Sequence, residues 1–137
     1  MMFIKVKAEN GLCNLKGECY FSEYTPQTVL NTKEISVIHD KFIYDGKTWY
    51  VTVYMTNGKE FECEETFDSF KDALGDKFAE FNTYLTVADG YVRLLINKDN
   101  VQYVVAHDCG AEIYFRDLYS KSIIVKESID EVAGRLV

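Results

Sequence analysis

The 137-residue sequence predicts an α+β protein built from two tandem antiparallel β-rich repeats, each ending in a short amphipathic helix. Three observations lead to this prediction. Residues 30–38 match residues 96–104, and residues 61–70 match residues 123–132, at offsets of 66 and 62. Apolar and polar residues alternate within each copy, as in a strand with one buried face. Near the end of each copy, a Ser or Thr is followed by apolar residues at helical spacing.

We place repeat one at residues 1–78 and repeat two at residues 79–137. No Gly/Ser-rich spacer lies near residues 76–80, so we expect the repeats to share an interface and form a compact body. Repeat one carries two insertions, at roughly residues 12–24 and 41–48, which explain the drifting offset.

The starts of the repeats also agree. Residues 3–6 and 81–87 are both strand-like, and each leads into a glycine-bearing turn, at Asn10-Gly11 and Asp89-Gly90. We therefore expect both repeats to open with a strand of the same kind.

The strongest hairpin signal is Asn57-Gly58, which joins a β-rich run at residues 49–56 to residues 59–64. The equivalent hairpin of repeat two joins residues 112–116 to 121–126 through residues 117–120. We expect both hairpins to be antiparallel.

A helix is expected at the end of each repeat. Ser128 and Glu131 form a capping box, and Ile129, Val132, Ala133 and Leu136 share one stripe that should face the sheet. In repeat one, Thr66 opens the helix and Gly75 ends it. The corresponding stripe is Phe67, Phe70 and Leu74.

The charge balance argues against a nucleic-acid partner. Fifteen basic residues face 22 acidic ones, for a net charge of -7, so there is no surplus of Lys and Arg to neutralise phosphates. The densest charge is an acidic run that alternation would place mostly on one wet face: Glu60, Glu62, Glu64, Glu65 and Asp68. This run is either a solvated edge that discourages aggregation or a surface for a basic partner.

The four cysteines, Cys13, Cys19, Cys63 and Cys109, show no Cys-x-x-Cys spacing. The start of the chain alternates instead of forming the apolar core of a signal peptide, and no apolar run is long enough to span a membrane. We therefore expect a cytoplasmic protein with reduced thiols, no metal site, no cofactor and no membrane contact. Cys63 should point inward beside Phe61 as a small hydrophobe.

Residues 97–136 resemble the small FlbD-like family of swarming-motility proteins. The resemblance rests on the run 96–101, the short strand at 113–115 and the ending 124–132. The same order of parts is similar to the first half of the LytTR DNA-binding domain, whose later, basic segment has no counterpart here. The resemblance implies tandem copies of a small, non-catalytic β-rich module with a regulatory or binding role.

Catalytic chemistry finds little support in the sequence, and we expect no catalytic residue. His39-Asp40 and His107-Asp108 sit at similar turns, but adjacent strand residues point apart and do not make a dyad. No nucleophile elbow, Walker loop or dinucleotide fingerprint is present. Cys109 could pair with a histidine from elsewhere, which leaves a small Cys/His-dependent enzyme as one alternative.

Aromatic residues concentrate around the insertions of repeat one: Tyr20, Phe21, Tyr24, Phe42, Tyr44, Trp49, Tyr50 and Tyr54. Most should fill the core, while the rest could form a contact surface, because Tyr and Trp are enriched at interface hot spots.

The sequence thus favours a non-enzymatic, intracellular binding or regulatory protein of bacterial or phage type that acts through a protein–protein surface. A specific form of this hypothesis is an acidic inhibitor of a basic, nucleic-acid-binding target. The expected partner is a basic protein, and a homodimer is also allowed. A LytTR-like nucleic-acid-binding regulator is a second alternative. The candidate partner-binding residues are Glu60, Glu62, Glu64, Glu65, Tyr24, Tyr44 and Trp49.

Overall fold

A computed structural model describes residues 3–9, 27–85, 90–116 and 122–137. It is β-rich, with two short helices. The strands are β1 (Phe3–Glu9), β2 (Gln27–Asn31), β3 (Ile35–His39), β4 (Phe42–Tyr44), β5 (Lys47–Trp49), β6 (Val51–Met55), β7 (Glu60–Cys63), β8 (Phe78–Tyr84), β9 (Tyr91–Asn97), β10 (Val101–His107), β11 (Gly110–Phe115) and β12 (Ser122–Val125). The helices are α1 (Phe67–Leu74) and α2 (Ile129–Leu136).

Among the described residues, ten strands form one antiparallel sheet in the order β10-β11-β12-β8-β9-β3-β6-β7-β1-β2. Strands β4 and β5 form a separate two-stranded hairpin. The main sheet divides into an N-terminal group (β1–β3, β6 and β7, followed by α1) and a C-terminal group (β8–β12, followed by α2). Within each group the strands lie in the same order: third, fourth, fifth, first, second.

Local hydrogen bonds also correspond between the groups. Asn31 and Asn97 each end the second strand and accept, through Oδ1, the backbone N–H two residues on, both at 3.1 Å. Two further backbone hydrogen bonds of the N-terminal group have a counterpart in the C-terminal group. Glu64 N–H donates to Lys7 O, as Lys126 N–H donates to Asn82 O. Thr56 N–H donates to Glu34 O, as Arg116 N–H donates to Asn100 O. The third strand of each group carries a register shift at the same place.

These bonds correct the expected alignment of the starts. Asn31 lies opposite Phe3, and Asn97 lies opposite Phe78. Phe3 therefore corresponds to Phe78, an offset of 75, and not to Phe81. The alternating pattern alone could not fix the register, because several shifts of an apolar strand match equally well.

The two groups meet where β3 pairs with β9, through Val37 opposite Ile96 and Ile38 opposite Leu95. Ile38 and Leu95 belong to one hydrophobic core together with α1, whereas Val37 and Ile96 belong to a second core together with α2. Because alternate strand residues face opposite sides of a sheet, the two helices cover opposite faces at this joint.

The Asn57-Gly58 hairpin is confirmed and joins β6 to β7, with Gly58 at φ 91°. The expected single strand at residues 49–56 is wrong, since Trp49 ends β5 and β6 starts at Val51. The cause is a second hairpin, β4–β5, which turns through Asp45 and Gly46, both at positive φ. It overlaps the insertion predicted at roughly residues 41–48 and extends one residue beyond it, to Trp49, while the other insertion, at 12–24, lies outside the described residues.

The helix boundaries agree with the sequence. Thr66 and Ser128 cap α1 and α2, the capping box with Glu131 is present, and Gly75 ends α1 at φ 62°. The α1 stripe is buried as expected. On α2 only Val132 is fully buried, whereas Ile129 and Ala133 are exposed, because this helix of eight residues makes its apolar contact through Val132 and Leu136, one turn apart.

Candidate protein-interaction site

A cavity of about 260 Å³ opens where the two strand groups meet. It is lined by more acidic than basic side chains, and we call it the acidic groove. Its carboxylates are Asp40, Glu64, Glu65 and Asp68, and its cations are Lys41 and Arg93.

Three elements place these side chains. Asp40 follows the last residue of β3, and Glu64 and Glu65 lie in the bend between β7 and α1. Asp68 lies in the first turn of α1, where the Thr66 hydroxyl accepts the Ser69 N–H at 3.2 Å. The N-terminus of a helix favours a carboxylate, so Asp68 also suits its local position.

Arg93, on β9, fixes one wall of the groove. Its Nε donates to Asp40 Oδ2 at 2.9 Å, and its Nη1 donates to Asp68 Oδ1 at 3.1 Å. The guanidinium lies 4.5 Å from the centre of the Phe67 ring, and the Arg93 carbonyl accepts the Asp40 N–H at 2.9 Å. One side chain of the C-terminal group thereby binds two carboxylates and one ring of the N-terminal group.

Part of the negative charge of the acidic groove is exposed to solvent. The Asp68 side chain is 72% exposed although it contacts Arg93, and Glu64 makes one longer ion pair, with Lys7 Nζ at 3.6 Å. Glu65 differs, since its Oε2 accepts the backbone N–H of Lys7 at 2.8 Å. Of the members of the acidic run that line the groove, Glu64 and Asp68 are therefore best placed to meet a positively charged partner.

The rest of the acidic run lies on β7. Glu60 is exposed, whereas Glu62 is half-buried, and burial followed by the charge of Glu60 raises the pKa of Glu62. The inward neighbour Cys63 is buried as expected, and burial together with Glu65 and Glu62 raises the pKa of its thiol. The expected single wet face is thus divided between the outer side of β7 and the bend that follows it.

The β4–β5 hairpin stands beside the acidic groove, because Asp40, Lys41 and Tyr50 line the groove and flank the hairpin in sequence. The Phe42 and Trp49 rings are stacked with centroids 5.8 Å apart, and Phe42 also contacts His39. Ile43 is 67% exposed and Trp49 is 38% exposed. Because Phe42 lies opposite Trp49 and Ile43 lies opposite Thr48, the hairpin exposes Trp49 on one face and Ile43 on the other, next to a charged cavity.

The candidate aromatic residues are placed unequally. Trp49 is exposed on β5, Tyr44 lies on β4 opposite Lys47, and Tyr24 lies outside the described residues. Sequence reasoning missed Ile43 and Arg93. The Asp45-Gly46 turn could have revealed the hairpin, and a lone arginine in the apolar run of β9 could have drawn attention to Arg93.

The histidines considered for catalysis each have a close contact with a sequence neighbour. His39 Nδ1 lies 2.9 Å from the Asp40 carbonyl oxygen, while the Asp40 carboxylate binds Arg93. His107 Nδ1 accepts the Cys109 N–H at 3.3 Å, and both residues are exposed. Among the described residues, no cluster of His, Cys, Asp and Glu is placed to hold a metal ion. Cys13 and Cys19 lie outside those residues.

No protein-family model, curated protein or solved structure matches this chain. Within the described ranges, no helix has both the length and the apolar character needed to cross a bilayer.

Proposed function

We propose that this chain is a non-enzymatic, intracellular binding or regulatory protein that acts through a protein–protein surface. The surface consists of the acidic groove and the β4–β5 hairpin. The observation that carries the proposal is the position of exposed Ile43 and Trp49 beside a cavity with four carboxylates and two cations. Aromatic anchors flanked by charge are typical of protein interfaces.

The partner is a protein with a basic segment. Asp68 and Glu64 are exposed enough to form ion pairs, and the chain as a whole carries -7, so a positively charged surface would be steered toward it. A specific form of the proposal is an inhibitor that occupies a basic, nucleic-acid-binding site on its target. Glu60, Glu62 and Glu65 contribute to the negative electrostatic potential of this surface. Trp49 and Ile43 each supply apolar contact area.

The same proposal includes the duplication of one ancestral unit. The resemblances to the FlbD-like family and to the LytTR domain indicate the kind of module that was duplicated. The shared strand order, the paired Asn31 and Asn97 turns and the paired helix caps support the duplication. In the C-terminal group, β10 leads directly into β11 at the position where the N-terminal group has the β4–β5 hairpin. A hairpin present in one copy alone is the kind of feature by which a duplicated module acquires a binding role.

The test is affinity capture from the native host, with the wild type and three variants as bait. The groove variant is Glu64→Gln with Asp68→Asn, and the hairpin variant is Ile43→Asp. The control variant, Asp72→Asn with Asp76→Asn, removes the same number of exposed carboxylates from the last turn of α1 and the turn that follows it. Circular dichroism verifies that every bait is folded.

We expect one basic protein to be retained by the wild type and by the control, and to be lost from the groove and hairpin variants. Its retention should weaken as salt rises, because exposed ion pairs are screened. Equal retention by all four baits would refute the proposal. A gel shift with nucleic acid at low salt that weakens steeply with salt would favour the LytTR-like alternative instead.

A further inference from the structure

The two most deeply buried strands of the sheet correspond to its two outermost strands. In β3, Ile35 to Ile38 are all buried, and in β9, Leu94 to Asn97 are all buried. Their counterparts are β10 and β2, which end the sheet on opposite sides. In the described part of the chain, β10 pairs only with β11 and β2 only with β1.

Side chains at matching positions change from buried to exposed. Val37 is 1% exposed on β3, and its counterpart on β10, Tyr103, is 50% exposed. Leu95 is 1% exposed on β9, and its counterpart on β2, Val29, is 63% exposed. Both exposed positions carry a large aromatic or aliphatic side chain, although no described strand pairs with their outer edge. The Tyr103 ring stacks on Tyr114 of the inner neighbour β11, with centroids 4.6 Å apart.

Neither outer strand carries the charges or the proline that often protect sheet edges. In a chain with 27% charged residues, β2 and β10 contain no Lys, Arg, Asp, Glu or Pro. Charges and prolines are the common means by which proteins prevent strands from pairing across molecules. Moreover, the pairing of β10 with β11 has a register shift at the position where the pairing of β3 with β6 has one, and β3 is the strand that pairs with β9.

We propose that β2 of one copy pairs with β10 of a second copy, and so repeats between molecules the joint that β9 and β3 make within one. The internal register, Val37 opposite Ile96 and Ile38 opposite Leu95, fixes the register of the new pair. Leu30 lies opposite Tyr103 of the second copy, and Val29 lies opposite Val104 of the second copy.

The two edges that meet are different, so the contact is head-to-tail. Each added copy leaves one β2 edge and one β10 edge free, and the assembly grows beyond a dimer unless it closes into a ring. The occupant is a second copy because one chain carries both halves of a pair already seen in this fold, and among the described residues no strand pairs with the outer edge of either half. The proposal depends on the correspondence of strands and not on the acidic groove.

The experiment measures mass by sedimentation velocity for the full chain at low and high concentration. The β2 variant is Thr28→Lys with Val29→Lys, and the β10 variant is Tyr103→Lys with Val105→Lys. The control variant, Ile129→Lys with Val137→Lys, adds the same charge at exposed apolar positions on and after α2. Wild type and control should show at least a doubling of mean mass between about 5 and about 500 µM, reversible on dilution, as mass action requires.

Each edge variant alone should remain a monomer, because each has lost one of the two edges. An equimolar mixture of the two should form a 1:1 dimer that grows no further, since only one β2 and one β10 edge remain intact. A monomeric wild type at the highest concentration would overturn the proposal. A β2 variant that still dimerises alone would also overturn it, in favour of symmetric β10 pairing.

Discussion

Glu65 and Glu127 accept corresponding backbone hydrogen bonds in the two strand groups. Each lies just before the residue that caps its helix, and each accepts the backbone N–H of the same residue of the first strand, Lys7 at 2.8 Å and Asn82 at 2.9 Å. Glu127 is the more deeply placed, and it also accepts from Asn82 Nδ2 and Arg135 Nη1. A carboxylate, half-buried at Glu65 and buried at Glu127, thus joins the first strand to the start of the helix in both groups.

The first prediction concerns this carboxylate. Burial would raise the pKa of Glu127, but the hydrogen bonds from Asn82 and the charge of Arg135 outweigh it and lower the pKa. Glu127→Ala removes the acceptor and leaves buried donors unsatisfied, which should cost about 1–3 kcal/mol of unfolding free energy. Glu65→Ala should cost less because its site is half-buried. Urea unfolding measures both, and a larger loss for Glu65→Ala would contradict the assignment.

A second prediction concerns acid sensitivity at His39. Burial lowers the pKa of His39 below its ordinary value of 6.5, and the nearby Asp40 only partly opposes this. The unfolded chain therefore takes up a proton at higher pH than the folded one, so stability is lost as pH falls below 6.5 toward the folded pKa. Between pH 7.5 and 5.5, the wild type should lose more unfolding free energy than His39→Gln. Identical pH profiles for the two proteins would refute the prediction.

The third prediction uses two glycines in different surroundings. At Gly110, with φ 149°, an added Cβ would lie 2.1 Å from the Val125 carbonyl oxygen, whereas at Gly134 nothing lies within 4 Å. Gly110→Ala should therefore cost about 2–3 kcal/mol through strain and overpacking. Gly134→Ala should add about 0.5–1 kcal/mol, because alanine favours a helix. Thermal and urea unfolding test both changes, and the opposite order would be incompatible with the β11–β12 pairing described.

The fourth prediction concerns Arg93. Arg93→Ala removes two hydrogen bonds and the contact with Phe67, and should cost about 1–2 kcal/mol, a modest figure because the side chain is partly exposed. Arg93→Lys should retain part of this, since it keeps the charge but not the planar fork. The matched control is Arg116→Ala, at an exposed position. A loss equal to that of the control would show that Arg93 does not tie the groups together.

Local signals predicted much of the fold. The Asn57-Gly58 turn, the Thr66 and Ser128 caps and the Gly75 helix end each depend on a few neighbouring residues, and all were placed correctly. The pairing of β3 with β9 could not be predicted, because β3 and β10 have the same pattern and only one of them is covered. Burial of such strands is decided by distant parts of the chain.

The candidate site was only partly predictable. The acidic run pointed to Glu64 and Glu65, but their neighbour Arg93 comes from a strand in the other group, about thirty residues away in sequence. The hairpin was anticipated as an insertion without its structure. Its Asp45-Gly46 turn can be recognised in the sequence. The solvent exposure of Ile43 cannot, because it depends on how the hairpin is oriented relative to the sheet.

One strand joint, made once inside the chain by β3 and β9, is also available between copies through β10 and β2. Amide hydrogen exchange measured at about 20 µM and about 1 mM tests it most directly, since mass action populates the paired state at the higher concentration. We predict slow exchange for Ile38 and Leu95 at both concentrations, and slowing of the outward amides of β2 and β10 at the higher one alone. Exchange rates at β2 and β10 that do not change with concentration would show that these two strands do not pair between copies.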